Sequence, residues 1–109
     1  MSTSCIFCKI ANKEMSTSFV HETDDIIVFK DIKPSADTHL LIVPKHHIET
    51  FLDLKSSDPL LTEMFQLARD LIKKLDLQKQ YKLVINGGKN QIVPHLHMHL
   101  MGGKMKGLV

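Results

Sequence analysis

The chain has no tryptophan, one tyrosine and only two cysteines among its 109 residues. Two cysteines exclude a disulfide-dense scaffold, and in a reducing compartment they are expected to be free thiols or metal ligands. No apolar run approaches the ~20 residues that cross a bilayer, so no transmembrane helix is expected. The opening Met-Ser-Thr-Ser-Cys lacks the basic and apolar regions of a signal peptide, which points to a cytoplasmic protein. Neither charge sign dominates. Fourteen basic residues against twelve acidic ones leave +2, too little for a dedicated nucleic-acid or membrane-surface binder. A single phosphate group needs no such excess. Internal repeats, low-complexity tracts and linkers are also missing.

What is present suits one globular domain over 1–109, with 43% hydrophobic and 24% charged residues. A chain of this size hides roughly two-thirds of its unfolded surface without staples. Cys5 to Ile10 is short and apolar, and Asn12 breaks it. Phe19 to Glu22 and Ile26 to Phe29 read as strands around an Asp24-Asp25 turn. Lys33 to Asp37 reads as loop. His39 to Val43 reads as a third strand stopped by Pro44, and His46 to Leu54 as a short helix. Asp58 and Pro59 open the one long helix. Its stripe is Leu61, Met64, Phe65, Ala68, Leu71, Ile72 and Leu75. Tyr81 to Asn86 and His95 to Met101, which end at Gly87-Gly88 and Gly102-Gly103, complete five strands. The pattern predicts an α+β domain with an antiparallel sheet.

The segment His95-Leu96-His97-Met98-His99-Leu100-Met101 alternates strictly. In extended chain, residues i, i+2 and i+4 share a face, so three imidazoles line up while Leu96, Met98 and Leu100 enter a core. Such a row supports nucleophilic and acid–base work at phosphorus. It also supports metal ligation, since His-x-His on a strand is a good chelating pair. The bland alternative is an exposed polar strand face. His21 and His46 read as solvated surface residues.

These motifs resemble the histidine triad (HIT) family, whose signature is His-φ-His-φ-His-φ-φ with φ apolar. The likeness extends to Phe7-x-Lys9-Ile10, Phe29-Lys30-Asp31-Ile32-Lys33-Pro34, the run Thr38 to Ile48, and Gly102-Gly103, as in the Hint-type branch. The resemblance implies a HIT-like fold and a homodimer with two joined five-stranded sheets. It implies hydrolysis or transfer at the α-phosphate of a purine nucleotide, such as a phosphoramidate or acyl adenylate. By position, His97 resembles the nucleophile that becomes nucleotidylated, with His99 at the phosphate, His39 in support, and His95 completing the triad. Asp31 would accept the ribose hydroxyls. Phe7, Ile10, Phe29, Ile32 and Leu41 would form the base slot. Asn86 and the backbone near Gln91 and Ile92 would hold phosphate.

The sequence departs from the branch in three places. Ile92 or Val93 stands where a serine is usual, the loop from Asn86 to His95 is about two residues shorter, and Lys104 to Val109 replaces a Trp-Pro ending.

Cys5-x-x-Cys8 starts too near the chain's beginning for a thioredoxin-like strand to precede it. Related chains pair such cysteines with a histidine after the third strand and the first triad histidine. The resemblance therefore implies a structural zinc on Cys5, Cys8, His47 and His95. The alternative is two small packed side chains. For function, the leading expectation is an enzyme. The alternatives are a nucleotide-binding interaction module with little turnover and a hydrolase holding all three histidines on one metal. The lack of a carboxylate on the same strand weighs against the last.

Overall fold

The computed structural model describes residues 5–106. Met1 to Ser4 and Gly107 to Val109, on which the readings of the two chain ends partly rest, lie outside the described residues. Two helices and five strands follow in the order α1 (Ile6–Ala11), β1 (Phe19–Glu22), β2 (Ile26–Lys30), β3 (Ala36–Pro44), α2 (Leu60–Lys74), β4 (Tyr81–Val84) and β5 (Met98–Met105). The strands form one antiparallel sheet in the order β1-β2-β3-β5-β4. This is the expected α+β architecture, with one long and one short helix.

The side-chain alternation of β2, β3 and β5 divides the core in two. Ile26, Val28, Leu40, Ile42, Met98 and Leu100 pack beneath α2, on its buried Leu60, Met64, Ala68, Leu71 and Ile72. Ile27, Phe29, Leu41 and Val43 turn to the other face and meet Cys5, Phe7 and Ile10 of the α1 region. The long helix thus closes one face and supplies most of the core. The short helix covers the other face only in part, leaving room beside Phe29 and His99.

Local chemistry explains where the helices stop. Asp58 Oδ1 accepts the Leu60 N–H at 2.9 Å, satisfying one of the orphan donors at the start of α2. At its end Asp76 takes φ 58°, and the Leu77 N–H bonds back to the Ile72 carbonyl at 2.9 Å. Helix α1 ends the same way. Lys13 takes φ 62°, and the Glu14 N–H reaches the Lys9 carbonyl at 2.8 Å.

Several expected boundaries move. The apolar run at Cys5 is helical over Ile6–Ala11, because the Cys5 Sγ accepts the Cys8 N–H and caps it. The segment His46 to Leu54 is no α-helix. It holds a single 3-10 turn at Phe51–Asp53, where Thr50 and Asp53 cap each other. Strand β3 begins at Ala36, taking in part of the expected loop. Strand β4 stops at Val84, two residues before Asn86, where pairing with β5 ends at Val84 and His99. Strand β5 covers Met98–Met105, so His95 and His97 precede it in a stretch whose ring and backbone groups bond elsewhere. On α2, Phe65 and Leu75 are exposed and lie outside the buried stripe. His46 is exposed as expected, whereas His21 is half-buried in β1.

Candidate active site and metal cluster

The triad is split between two environments. His97 and His99 look into a cavity of about 410 Å³ that also meets Phe7, Ile10, Phe29, Asp31, Ile32, His39, Leu41, Asn86 and Ile92. The sheet explains the grouping. Leu41 pairs with His99 and His39 with Met101 across β3 and β5, so His39 and His99 are diagonal neighbours on one face. Phe29, opposite Leu41, extends that face into β2. Phe7 descends from α1 and stands edge-on to Phe29 and to His97, with centroids 5.7 and 5.1 Å away.

Hydrogen bonds fix the proton on each ring. His97 Nδ1 lies 2.8 Å from the His95 carbonyl, which only accepts. Nδ1 therefore carries the proton, and the neutral ring keeps a lone pair on Nε2. His39 Nδ1 accepts the Ser35 N–H at 2.9 Å, so its proton sits on Nε2. That Nε2–H faces His99 Nδ1 at 2.9 Å, and Asp31 Oδ2 lies 3.4 Å from the same nitrogen. His99 must then carry its proton on Nε2. Asn86 Nδ2 stands 3.4 Å from that atom. With the proton on Nε2, the Asn86 amide either turns its oxygen to accept it or keeps its N–H beside it so that both donate to one acceptor, such as a phosphate oxygen.

Burial favours the neutral form of His99 and His39. The His99 pKa falls to about 4, mainly through desolvation and then through the neighbouring His97 and His39. The His39 pKa is lowered by burial, which Asp31 partly opposes. Asp31 Oδ1 accepts the Lys33 N–H at 2.8 Å, so the carboxylate is oriented by its own loop.

His95 belongs to a different cluster. It is fully buried, and its Nε2 lies 2.7 Å from the Pro44 carbonyl, which assigns the proton there. The Nδ1 lone pair then points at Cys5 Sγ, 3.2 Å away, and at Cys8 Sγ, 3.6 Å away. Cys8 Sγ is also 3.1 Å from His47 Nδ1. These four ligand atoms lie within 4.8 Å of one another. With the usual zinc–sulfur and zinc–nitrogen bond lengths, a tetrahedral S···N edge is about 3.6 Å, so the spacing fits a four-coordinate ion with slight expansion. Burial and the adjacent Cys5 push the Cys8 thiol up to about 11, a burden that a bound cation would relieve. The cluster can hold a metal ion.

Among the described residues the three triad rings do not form one ligand set, since His95 sits with the cysteines while His99 groups with Asp31 and His39. The reading of three histidines on one metal is thereby corrected. Two expected binding residues are less engaged than the sequence suggested. Gln91, whose backbone was expected near phosphate, is not among the residues lining the cavity, and its side-chain amide donates to the Glu49 and Val93 carbonyls at 2.6 and 3.0 Å. Ile32 reaches only the rim and is 91% exposed. The cavity wall also includes Ile6, Lys30, Lys33, Ser35, Asn90 and Val93, none of which the sequence reading had assigned to the site. The Ser35 N–H and the Pro44 carbonyl, which set two tautomers, are backbone groups and leave no trace in residue type.

The antiparallel sheet thus carries a hydrogen-bonded histidine pair beside a third imidazole in one cavity. A family model described as "Scavenger mRNA decapping enzyme C-term binding" matches residues 4–109. Protein HitA of Neisseria gonorrhoeae is 42% identical over 101 residues, spanning 90% of this chain and 94% of that protein. The crystal structure of a HIT family hydrolase from Legionella pneumophila Philadelphia 1 superposes with a TM-score of 0.90 at 40% identity, covering 95% of this chain and all of that one. A histidine triad nucleotide-binding protein from Candida albicans gives a TM-score of 0.84 at 34% identity, over 93% of this chain and 76% of that one. The chain belongs to the histidine triad (HIT) family and resembles its hydrolases. No helix among the described residues is long and apolar enough to cross a membrane.

Proposed function

We propose that the protein hydrolyses or transfers nucleotides at the α-phosphate, acting on purine nucleoside phosphoramidates, acyl adenylates or related compounds, as in the Hint-type branch. The observation that carries this reading is the tautomer of His97. Its Nδ1–H is held by the His95 carbonyl, and its Nε2 lone pair is aimed into the cavity. The base lies against Phe7, Ile10, Phe29 and Leu41, with Ile32 at the rim. Asp31 takes the ribose hydroxyls. His99 Nε2–H and the Asn86 amide hold phosphate oxygens.

His97 Nε2 attacks phosphorus and forms an N–P bond. The bond to the leaving group breaks with its electron pair, and the leaving group takes a proton from solvent at the open mouth. The His95 carbonyl stabilises the cationic ring that results. Water then attacks phosphorus, the N–P pair returns to Nε2, and the water proton goes to solvent. His39 orients His99 throughout, and Asp31 couples that pair to the ribose.

Zinc is the ion we assign to Cys5, Cys8, His47 and His95, because two thiolates and two imidazoles make a closed set suited to structure. A bound ion there would pin α1, and with it Phe7 and Ile10, to the triad segment. We also assign the protein as a homodimer joined at the β4 edge, where Tyr81 is half exposed and the strand has β5 as its one partner. Sedimentation giving only a ~12 kDa species at micromolar concentration would reject the dimer.

The test of the activity is turnover of a panel of adenosine phosphoramidates, acyl adenylates and dinucleoside polyphosphates by the purified protein. Nucleotide binding without turnover of any member would replace the enzyme with an interaction module.

A further inference from the structure

The metal cluster is complete in its ligands but unevenly covered. His95 is fully buried and Cys5 nearly so, whereas Cys8 is half-buried and His47 is exposed. A cavity of about 310 Å³ has Cys5, His47 and Glu49 in its wall, with Ile6 and Ile92, so two of the four ligands are open to a small solute. A water takes up ~30 Å³ of liquid, which leaves ample room for a molecule of a few atoms. A site that only staples the chain gains nothing from such an opening. Glu49 is the one carboxylate in that wall. It repels anionic reagents from the approach and leaves neutral ones free.

The two sulfurs are also placed to join. Both cysteines are free. Cys5 Sγ accepts the Cys8 N–H at 3.4 Å, and both sulfurs approach the same nitrogen, His95 Nδ1, at 3.2 and 3.6 Å. They lie within 4.8 Å of each other. Residues three apart at the start of a helix are neighbours, so side-chain rotation brings their sulfurs to bonding distance.

We propose that Cys5 and Cys8 are a reversible oxidation site for a neutral peroxide, and that their disulfide expels the ion and frees α1 from the triad segment. The inference rests on the zinc assignment above and not on the hydrolytic reaction. Cys8, the more exposed sulfur, reacts first. Its thiolate attacks a peroxide oxygen, an S–O bond forms, and the O–O bond breaks with its electron pair on the departing hydroxide. The Cys5 thiolate then attacks the Cys8 sulfur, an S–S bond forms, and the S–O bond breaks to release a second hydroxide. Two electrons pass from the sulfurs to the peroxide, and two solvent protons turn the hydroxides into water. The disulfide offers no thiolate to the ion, and two imidazoles remain where four ligands stood.

The consequence runs along α1. The ion ties Cys5 and Cys8 to His47 beyond β3 and to His95 before β5, whereas the disulfide ties the cysteines only to each other. Six residues of helix do not persist unaided. Phe7 and Ile10 belong to that helix and line the larger cavity, and Phe7 also packs on His95 and His97. Oxidation therefore loosens one wall of that cavity.

In the experiment, zinc-loaded protein receives a slight excess of hydrogen peroxide, followed by dithiothreitol with zinc. The intact mass should fall by two hydrogens with no oxygen added. Zinc, read with a chromogenic chelator, should leave in step with the disulfide. Amide exchange across Ile6–Ala11 should quicken by about tenfold or more while β2 and β3 keep their protection. Adenosine monophosphate should bind about tenfold more weakly, the worth of one apolar contact. Dithiothreitol with zinc should restore every reading, which oxidised methionine would not permit. Glutathione disulfide, bulky and anionic, should release zinc far more slowly than peroxide, and Glu49→Gln should narrow that gap. Zinc-loaded protein whose sulfurs stay reduced, or a disulfide that leaves exchange in α1 unchanged, would overturn the proposal. Native protein without zinc would overturn the zinc assignment and this proposal with it. Native protein that does not bind the monophosphate would count against the nucleotide reading alone, because mass, zinc and exchange decide the oxidation site.

Discussion

His95 and His97 are two residues apart, chemically identical, and held through opposite ring nitrogens. In His95 the Pro44 carbonyl takes Nε2–H, leaving Nδ1, close to the backbone, to face two sulfurs. In His97 the His95 carbonyl takes Nδ1–H, leaving Nε2, at the tip of the ring, to reach an open cavity. In the function proposed here, which nitrogen a backbone carbonyl claims decides whether an imidazole serves as ligand or nucleophile. The two sites are also joined. The carbonyl that orients His97 belongs to the residue that faces the cysteines, and Phe7 packs against both rings.

The sharpest way to break this contrast is His97→Ala. Turnover should fall by about 10⁴-fold or more while adenosine monophosphate still binds, because the covalent path is lost and the base slot is kept. A variant holding a tenth of the native rate would place the nucleophile elsewhere.

Disrupting the other histidine's cluster should act on stability first. If Cys5→Ser abolishes an ion present at a hundredfold its Kd, the loss is about 2.7 kcal/mol. For a chain of this length that lowers Tm by roughly 10–15 °C. Metal analysis of protein expressed with zinc should give one ion per chain. Native protein well below that, or Cys5→Ser melting with the native protein, would reduce the cysteines to packing.

Asp31→Ala probes the cavity side alone. Losing a charge-assisted hydrogen bond of about 1.5–3 kcal/mol should cut the preference for ribo- over deoxyribonucleotides by roughly ten- to a hundredfold. An unchanged ratio in calorimetry would restrict Asp31 to steadying His39.

The smallest effect concerns pH. The folded-state pKa of His99, about 4, lies below its ordinary 6.5, so the unfolded chain binds more protons between those values. The stability from burying a neutral ring is fully present above pH 6.5 and is lost as pH falls toward 4. His39 is shifted in the same direction and adds to the loss. Melting curves of His99→Gln should therefore depend less on pH across that window than those of the native protein. Parallel curves would assign the acid sensitivity to other groups.

Much of this was legible in the chain itself. The alternation from His95 to Met101 announced a shared histidine face and a buried partner face, because extended chain has a period of two whatever it pairs with. Asp58-Pro59 and the stripe on Met64, Ala68, Leu71 and Ile72 marked α2, since capping and helical periodicity are local. The stripe misled at Phe65 and Leu75, because periodicity locates a face but not where the sheet beneath it ends. Strand limits were misjudged for a similar reason. His95 and His97 look like strand in sequence, but their partners are a sulfur pair and a carbonyl outside the ladder.

Sequence by itself thus determined the family, the residue types and their order: three alternating histidines, a carboxylate after β2, a cysteine pair near the start. Only the tertiary structure decided their division of labour. Pro44 approaches His95 from 51 residues away and Ser35 approaches His39 across its own loop, both through backbone atoms that every residue shares. Residue identity cannot encode which carbonyl or N–H arrives at a ring. That depends on how β3 and the run into β5 lie against each other, and it is the backbone, once folded, that assigns each proton and so each role.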